Sequence, residues 1–351
     1  MPYTSTSTIP DIAAAIRGAR RILVTTHAKP DGDALGSVLA IVRACAVLGI
    51  AADGWIVGPF EQSLMSLAGS TPITWVDPKA PTFPGDDYDL VVIVDTGAWT
   101  QLETLAPWLR PRVPIAIGID HHARGDEVAA RRIVDVSCGS CTALLAHVID
   151  ALGVPLTTGG DARGRGSVAE ALYLGLATDT GWFRFQNARA PEFALAARLL
   201  GAGVDKDYLL ERIEQSHRES RLRIEARALA SVQFIDLGPS GPRGVAAIMR
   251  LAASDFAATG ATLEETSGVV NLPMVIGRVR ASVLLLESEP GLVKVSFRSK
   301  PKDDDGRFVD VNDVAARFGG GGHVHAAGAR IKGSLDEAET KVKGALASRA
   351  R

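Results

Sequence analysis

Cysteine is scarce: Cys45, Cys138 and Cys141 are the only three in 351 residues. That count excludes a disulfide-stapled scaffold, and a reducing compartment, the cytoplasm, is expected. Neither sign of charge is in excess, since 38 Lys and Arg stand against 40 Asp and Glu for a net −2. A chain that grips long nucleic acid through many phosphate contacts would be more basic, although a local site can hold either sign. Aromatics make up 5% of the residues, so platforms for stacking bases are few. No apolar run approaches the ~18 residues of a membrane span, and no membrane partner is expected. Met1-Pro2-Tyr3-Thr4-Ser5 has no basic stretch followed by an apolar core, so a signal peptide is not expected either. Internal repeats and heptads are absent. What remains is ordinary for a globular chain: 46% hydrophobic and 22% charged residues, at a length suited to about two domains.

Short apolar runs punctuate the first half. Residues 22–26 (ILVTT), 90–94 (LVVIV) and 115–119 (IAIGI) read as strands buried on both faces, as in a parallel sheet covered by helices. A helical pattern starts near Ala34 and stops at Gly49. Residues 157–167 form a glycine-rich internal loop, and 206–233 read as a charged, mostly helical linker. After a turn cluster at 239–244, residues 245–249, 280–287 and 292–298 read as strands of a smaller α+β unit, with a charged turn at Asp303-Asp304-Asp305-Gly306.

Each apolar run in the first half ends in ionisable residues, and open α/β sheets bind ligands at the carboxyl ends of their strands. After the first run come His27, Asp31 and Asp33, within seven residues of one strand-to-helix turn. Two carboxylates converging on one small volume repel unless protonated or bridged by a cation. An EF-hand does not fit, because Leu35 and Val42 stand where that loop needs ligands. Service as turn and helix-cap residues remains an alternative for Asp31 and Asp33 taken alone. Three further motifs argue for metal: Asp95 closing the second run, Asp120-His121-His122 closing the third, and Asp179 in Ala177-Thr178-Asp179-Thr180-Gly181. Carboxylate and imidazole without thiolate suit Mn²⁺, with Mg²⁺, Co²⁺ or Fe²⁺ as other candidates, better than a structural zinc.

In that order, the HxxPDxDAxGS stretch from His27 to Ser37, the VDTG at Asp95, the DHH at Asp120 and the ATDTG at Asp179 resemble the DHH phosphoesterase superfamily. Phe318-Gly319-Gly320-Gly321-Gly322-His323-Val324-His325-Ala326-Ala327-Gly328 resembles the GGGHxxAAG stretch of its DHHA1 domain, and residues 295–300 (VSFRSK) match the SxRS strand ahead of it. The resemblance covers nearly the whole chain, and is greatest to the group of bifunctional oligoribonuclease and pAp phosphatases. It implies an α/β fold: an N-terminal parallel-sheet DHH domain with helices on both faces (1–205), a helical linker (206–233) and a smaller α+β DHHA1 domain (234–351). It also implies two divalent ions in a cleft between the domains, one held by His27 and Asp31, the other by Asp33, His121 and Asp179, with Asp95 shared. The ions would lower the pKa of a shared water that attacks phosphorus. By the same resemblance His122 would donate to phosphoryl oxygens, and Asp120 would orient a histidine. Arg298, Ser299, Gly320, Gly321, Gly322 and His323 would anchor the substrate, the glycine N–H groups cradling an anion.

The expected activity is hydrolysis of short oligonucleotides, pApA and pAp to mononucleotides, by a homodimer. Alternatives are a cyclic dinucleotide (c-di-AMP) phosphodiesterase, an inorganic pyrophosphatase or exopolyphosphatase, and a non-catalytic nucleotide sensor. The Cys138-Gly-Ser-Cys141 pair, His147, His217 and His325 are set down as structural or surface residues. Arg184, close behind the fourth motif, is a candidate to face substrate.

Overall fold

The computed structural model describes residues 3–238 and 241–347, so Pro239 and Ser240 of the expected turn cluster lie outside the described residues. The chain divides into two compact units, Met1–Ser216 and His217–Arg351.

The first unit is built on six parallel strands: β1 (Arg21–Thr25), β2 (Ala51–Val57), β3 (Ile73–Val76), β4 (Leu90–Val94), β5 (Ala116–Asp120) and β6 (Arg131–Val134), in the order β3-β2-β1-β4-β5-β6. The period-2 alternation of strand side chains divides the apolar runs between two cores. Ile22, Val24, Leu90, Val92, Val94, Ile117 and Ile119 enter one, and Leu23, Val91, Ile93 and Ala116 the other. The coverings are unequal. Long helices (Ile9–Gly18, Gly32–Val47, Cys141–Leu152 and Val168–Asp179) contribute to the first core. The opposite face is closed by the short helix Ala106–Leu109, neighbouring helical turns and Trp108.

The Gly32–Val47 helix is buried along most of its length, as an all-round apolar helix must be. It approaches Val168–Asp179 almost backbone to backbone. A methyl group on Gly36 would stand 2.4 Å from the Ala171 carbonyl oxygen, and one on Gly175 would stand 2.4 Å from Asp33 Oδ1. Small residues on both helices therefore set the separation at which Asp33 and Asp179 face each other. The buried Arg43 fastens the far end of the same helix, donating to the carbonyls of Leu67 and Ser167, to Thr71 and to Glu170.

The second unit carries a mixed sheet in the order β11-β12-β10-β9-β8-β7. Its strands are β7 (Gln233–Asp236), β8 (Val245–Leu251), β9 (Val279–Glu289), β10 (Leu292–Ser299), β11 (Gly321–His323) and β12 (Ala326–Lys332). Helices Val311–Ala316 and Leu335–Ala347 cover one face and Glu219–Ala230 the other. The 206–233 segment holds two helices, Lys206–Glu214 and Glu219–Ala230, and the boundary between units falls between them.

The glycine contact gives a stability prediction. Gly36→Ala must push two helices apart and should cost roughly 1–3 kcal/mol. Gly18→Ala, where an added methyl meets nothing within 4 Å, should change stability by less than about 0.5 kcal/mol. Urea unfolding of the two variants checks this; equal midpoints would refute the tight packing.

Candidate metal centre

Strand order reverses between β1 and β4, and their carboxyl ends deliver His27 and Asp95; β5, next to β4, delivers Asp120, His121 and His122. Asp95 has φ 59°, a left-handed conformation that Asp tolerates better than most side chains. The Gly32–Val47 helix supplies Asp33 in its first turn, and Asp179 is the last residue of the Val168–Asp179 helix. Five elements thus bring all six expected ligands together.

The donors face one another at short range. His27 Nε2 lies 3.4 Å from Asp95 Oδ2 and 4.0 Å from Asp31 Oδ1. His121 Nε2 lies 3.5 Å from Asp95 Oδ1, 3.8 Å from Asp179 Oδ2 and 3.9 Å from Asp33 Oδ2. Three sets have donor atoms within 4.8 Å of one another: His27, Asp31 and Asp95; Asp33, His121 and Asp179; and Asp95, His121 and His122. Donors held about 2.0–2.2 Å from a divalent ion stand roughly 3–4 Å apart, so the spacing fits. A second observation agrees. Asp95 is 3% exposed, and its Oδ1 is buried with no hydrogen-bond partner. A carboxylate oxygen in that position costs several kcal/mol unless a cation meets it. Among the described residues, no Lys or Arg pairs with Asp31, Asp33, Asp95 or Asp179; their ionic neighbours are imidazoles.

The carboxylates are oriented by groups that do not reach the centre. Asp33 Oδ1 accepts from Thr142 N and Thr142 Oγ1, and Oδ2 from Cys141 N, so it sits on the amino end of the Cys141–Leu152 helix. Cys141 itself points away, its Sγ donating to the Ile119 carbonyl. Asp31 Oδ1 caps the Gly32–Val47 helix by accepting from Asp33 N and Ala34 N. Capping and a place in a donor set therefore coexist at Asp31. Each histidine is held through Nδ1: His27 by the Ala28 carbonyl (3.0 Å), His121 by the Cys138 carbonyl (3.3 Å) and His122 by Asp120 Oδ1 (2.7 Å). This arrangement turns Nε2 of His27 and His121 toward the carboxylates. Asn187 Nδ2 donates to the carbonyls of Gly139 and Asp179.

Charge crowding shows in the proton affinities. Burial, then Asp95 and Asp179, push Asp33 well above the usual carboxylate range. Burial raises Asp179 to about 6, against the pull of His121. Burial would raise Asp95 too, but His121 and His27 bring it down to about 2. Burial opposes charge on the imidazoles, yet Asp95 and Asp31 lift His27 to about 9, and Asp95, Asp33 and Asp179 lift His121 to about 10. Without a cation, protons on the two imidazoles do the neutralising.

The expected anchor residues gather in the second unit. Arg298 on β10 stands in register with Ala326 of β12, which pairs with His323 of β11. The Arg298 guanidinium is half-buried, and its bond is to the Phe297 carbonyl; no carboxylate pairs with it among the described residues. Ser299 Oγ bonds His325 Nδ1 at 2.9 Å, which moves His325 from the discounted residues to the neighbourhood of the anchor. The side chain of His323 lies outside the described residues. The glycine cradle needs a correction. Gly319 N and Gly320 N donate to Ala316 and Ala315 and so close the C-terminus of the Val311–Ala316 helix. Gly320 is there because a methyl would stand 2.1 Å from the Gly328 carbonyl oxygen. Any cradle therefore begins at Gly321 and Gly322. Arg184 Nε donates to the Gly181 carbonyl.

Sequence reading missed Thr142 and Asn187. Only Thr142 left a trace, as a hydroxyl residue beside the Ser140 helix cap.

Comparison with known proteins comes to the same place. Residues 21–176 match the DHH family, N-terminal domain, and residues 248–348 match the DHHA1 domain. The chain is 30% identical over 338 residues to the bifunctional oligoribonuclease and PAP phosphatase NrnA of Thermus thermophilus, covering 95% of this chain and 91% of that protein. It is 27% identical over 321 residues to the protein of the same name from Bacillus subtilis, covering 91% of each. An exopolyphosphatase-related protein from Bacteroides fragilis has the same fold, with a TM-score of 0.84 at 24% identity over 97% of this chain and 96% of that one. With its two matched domains and a relative of this identity along nearly its full length, the chain belongs to the DHH family.

Proposed function

We propose that this protein is a metal-dependent phosphoesterase that hydrolyses short oligonucleotides, pApA and pAp to mononucleotides. The observation that carries the reading is the buried Asp95, whose Oδ1 accepts no hydrogen bond, at the meeting of convergent donor sets. The names of the relatives, oligoribonuclease and PAP phosphatase, supply the substrate class.

His27 and Asp31 would hold one ion, Asp33, His121 and Asp179 the other, and Asp95 both. When bound, such ions supply a water nucleophile at neutral pH and neutralise charge on the phosphoryl oxygens. The protein does the rest. The Cys141–Leu152 helix end fixes Asp33, and the Cys138 and Ala28 carbonyls set the ring orientations of His121 and His27. With His122 Nδ1 engaged by Asp120, donation to a phosphoryl oxygen falls to Nε2. Arg298, a half-buried cation without a carboxylate, suits a second phosphate or a base face. In this reading residues 1–205 cut and 234–351 hold. Mn²⁺ is the native metal, a choice supported by the thiolate-free donor set. The paucity of cysteine supports a cytoplasmic location, and the family resemblance supports a homodimer.

Removing the shared ligand by Asp95→Ala should abolish turnover of pAp, pApA, a 5-mer RNA and c-di-AMP alike and leave less than one equivalent of tightly bound Mn²⁺. Full metal content with wild-type rate would contradict the assignment. A wild-type enzyme inactive on every one of these substrates would refute the phosphoesterase reading, whereas turnover of c-di-AMP alone would move it to the cyclic dinucleotide class.

Because His27 and His121 hold protons up to about 9 and about 10 in the metal-free protein, binding a cation must expel them. Affinity for Mn²⁺ should therefore rise with pH, by roughly tenfold per unit for each proton displaced between pH 6.5 and 8. Calorimetry in buffers of different ionisation heat reads the released protons; a buffer-independent heat with flat affinity would argue against protonated imidazoles.

Arg298→Ala should raise KM for dinucleotides about tenfold or more while changing KM for a small phosphodiester without a second phosphate less than twofold. Equal effects on both would remove the anchoring role.

A further inference from the structure

The segment ahead of the first helix is fastened along the sheet edge. Thr6 N and Ser7 N donate to the Arg132 carbonyl, Ser5 Oγ exchanges bonds with Val134, and Arg132 Nε donates to the Thr4 carbonyl. So held beside β6, the segment delivers Tyr3 between two loops, one following Asp95 and the other following His122. Glycines open the slot on both sides. A methyl on Gly97 would stand 2.1 Å from the Tyr3 hydroxyl, and one on Gly125 would stand 2.6 Å from the ring. The loops are also tied to each other, since Asp126 N donates to the Gly97 carbonyl and Asp126 Oδ2 accepts from Trp99 N.

At the end of the slot the Tyr3 hydroxyl donates to Asp120 Oδ2 at 2.9 Å. Asp120 is fully buried, and its two oxygens have different duties. Oδ1 takes three donors: His121 N, His122 N and His122 Nδ1. Oδ2 has Tyr3 as its donor, and no other among the described residues. A buried carboxylate oxygen stripped of its donor is left with an unmet desolvation cost that a rotation of the carboxylate can relieve. Swinging Asp120 would disturb the ring of His122 and the backbone N–H of His121 together.

We propose that Tyr3 is a positioning residue for the metal centre: its phenol, wedged between Gly97 and Gly125, locks Asp120 and through it the ring of His122 and the backbone at His121. The inference rests on the functional reading above for what those histidines do, but its test does not depend on turnover.

Tyr3→Phe removes the hydroxyl and keeps the wedge, so the fold stays intact. Two readouts use the metal-free full chain. One is the NMR signal of the His122 Nδ1 proton held by Asp120, assigned against His122→Gln. The other is Mn²⁺ affinity by calorimetry. The expected result is a shifted or broadened proton signal and an affinity loss of roughly tenfold, typical when a group behind a ligand is lost. Where the wild type turns over pAp, kcat should fall about tenfold with KM changed less than twofold. An unmoved proton signal together with affinity and kcat within twofold of wild type would overturn the proposal and leave Tyr3 as packing. A wild type that binds Mn²⁺ but cleaves no nucleotide would sink the substrate reading while the proton signal and affinity still decide the role of Tyr3.

Discussion

Mutual repulsion of carboxylates at the buried carboxyl end of a parallel sheet is the constraint around which the first unit is organised. Asp33, Asp95 and Asp179 come from elements far apart in the chain and meet where Asp33 and Asp95 are buried and Asp179 is partly so. Left to themselves they would separate or take up protons. Each is instead held from behind: Asp33 by a helix amino end, Asp95 by a left-handed backbone at the mouth of β4, and Asp179 by the close approach of two glycine-bearing helices. Imidazoles are threaded between them, and their own outer nitrogens are tied to carbonyl or carboxylate oxygens. Fold energy from the apolar cores is thus spent on keeping like charges together, which is how a protein builds a place that a divalent cation completes.

Legibility of these features in the sequence followed how local their causes are. β1, β4 and β5 were readable because strands walled on both faces must be continuously apolar. β2, β3 and β6 were not, since Ala51–Val57, Ile73–Val76 and Arg131–Val134 carry exposed or charged positions that blur the pattern. The candidate ligands were readable because each sits directly after an apolar run or in a compact motif. Tyr3 and Thr142 act across large sequence separations with ordinary chemistry, and a tyrosine 117 residues from its partner leaves no periodicity; Asn187 is only eight residues from Asp179 but stands in no motif. In the run Gly319–Gly322 the resemblance implies a cradle at Gly320, Gly321 and Gly322. Half of it serves instead to close a helix and to let β12 approach, a distinction that depends on tertiary neighbours alone.

The two units solve opposite electrostatic problems with similar economy. In the first, the carboxylates of the donor sets pair with no lysine or arginine among the described residues. In the second, Arg298 is a half-buried cation whose bond goes to a main-chain carbonyl, and burial pushes its guanidinium down from its ordinary value. A near-neutral total thus conceals local imbalances of both signs. Each is of the kind that a phosphate with bound cations would relieve.

The strand order β3-β2-β1-β4-β5-β6 has a consequence for biosynthesis. The donors enter the growing chain as residue 27, then 31 and 33, then 95, then 121, and last 179. When β6 has been made, one of the three donors in the set Asp33, His121 and Asp179 is still missing. Asp179, at the final residue of its helix, arrives after the sheet that it completes. The nascent protein therefore carries an open, three-carboxylate mouth until that helix docks on Gly36. The set of Asp33, His121 and Asp179 stays incomplete for as long as its last carboxylate is missing.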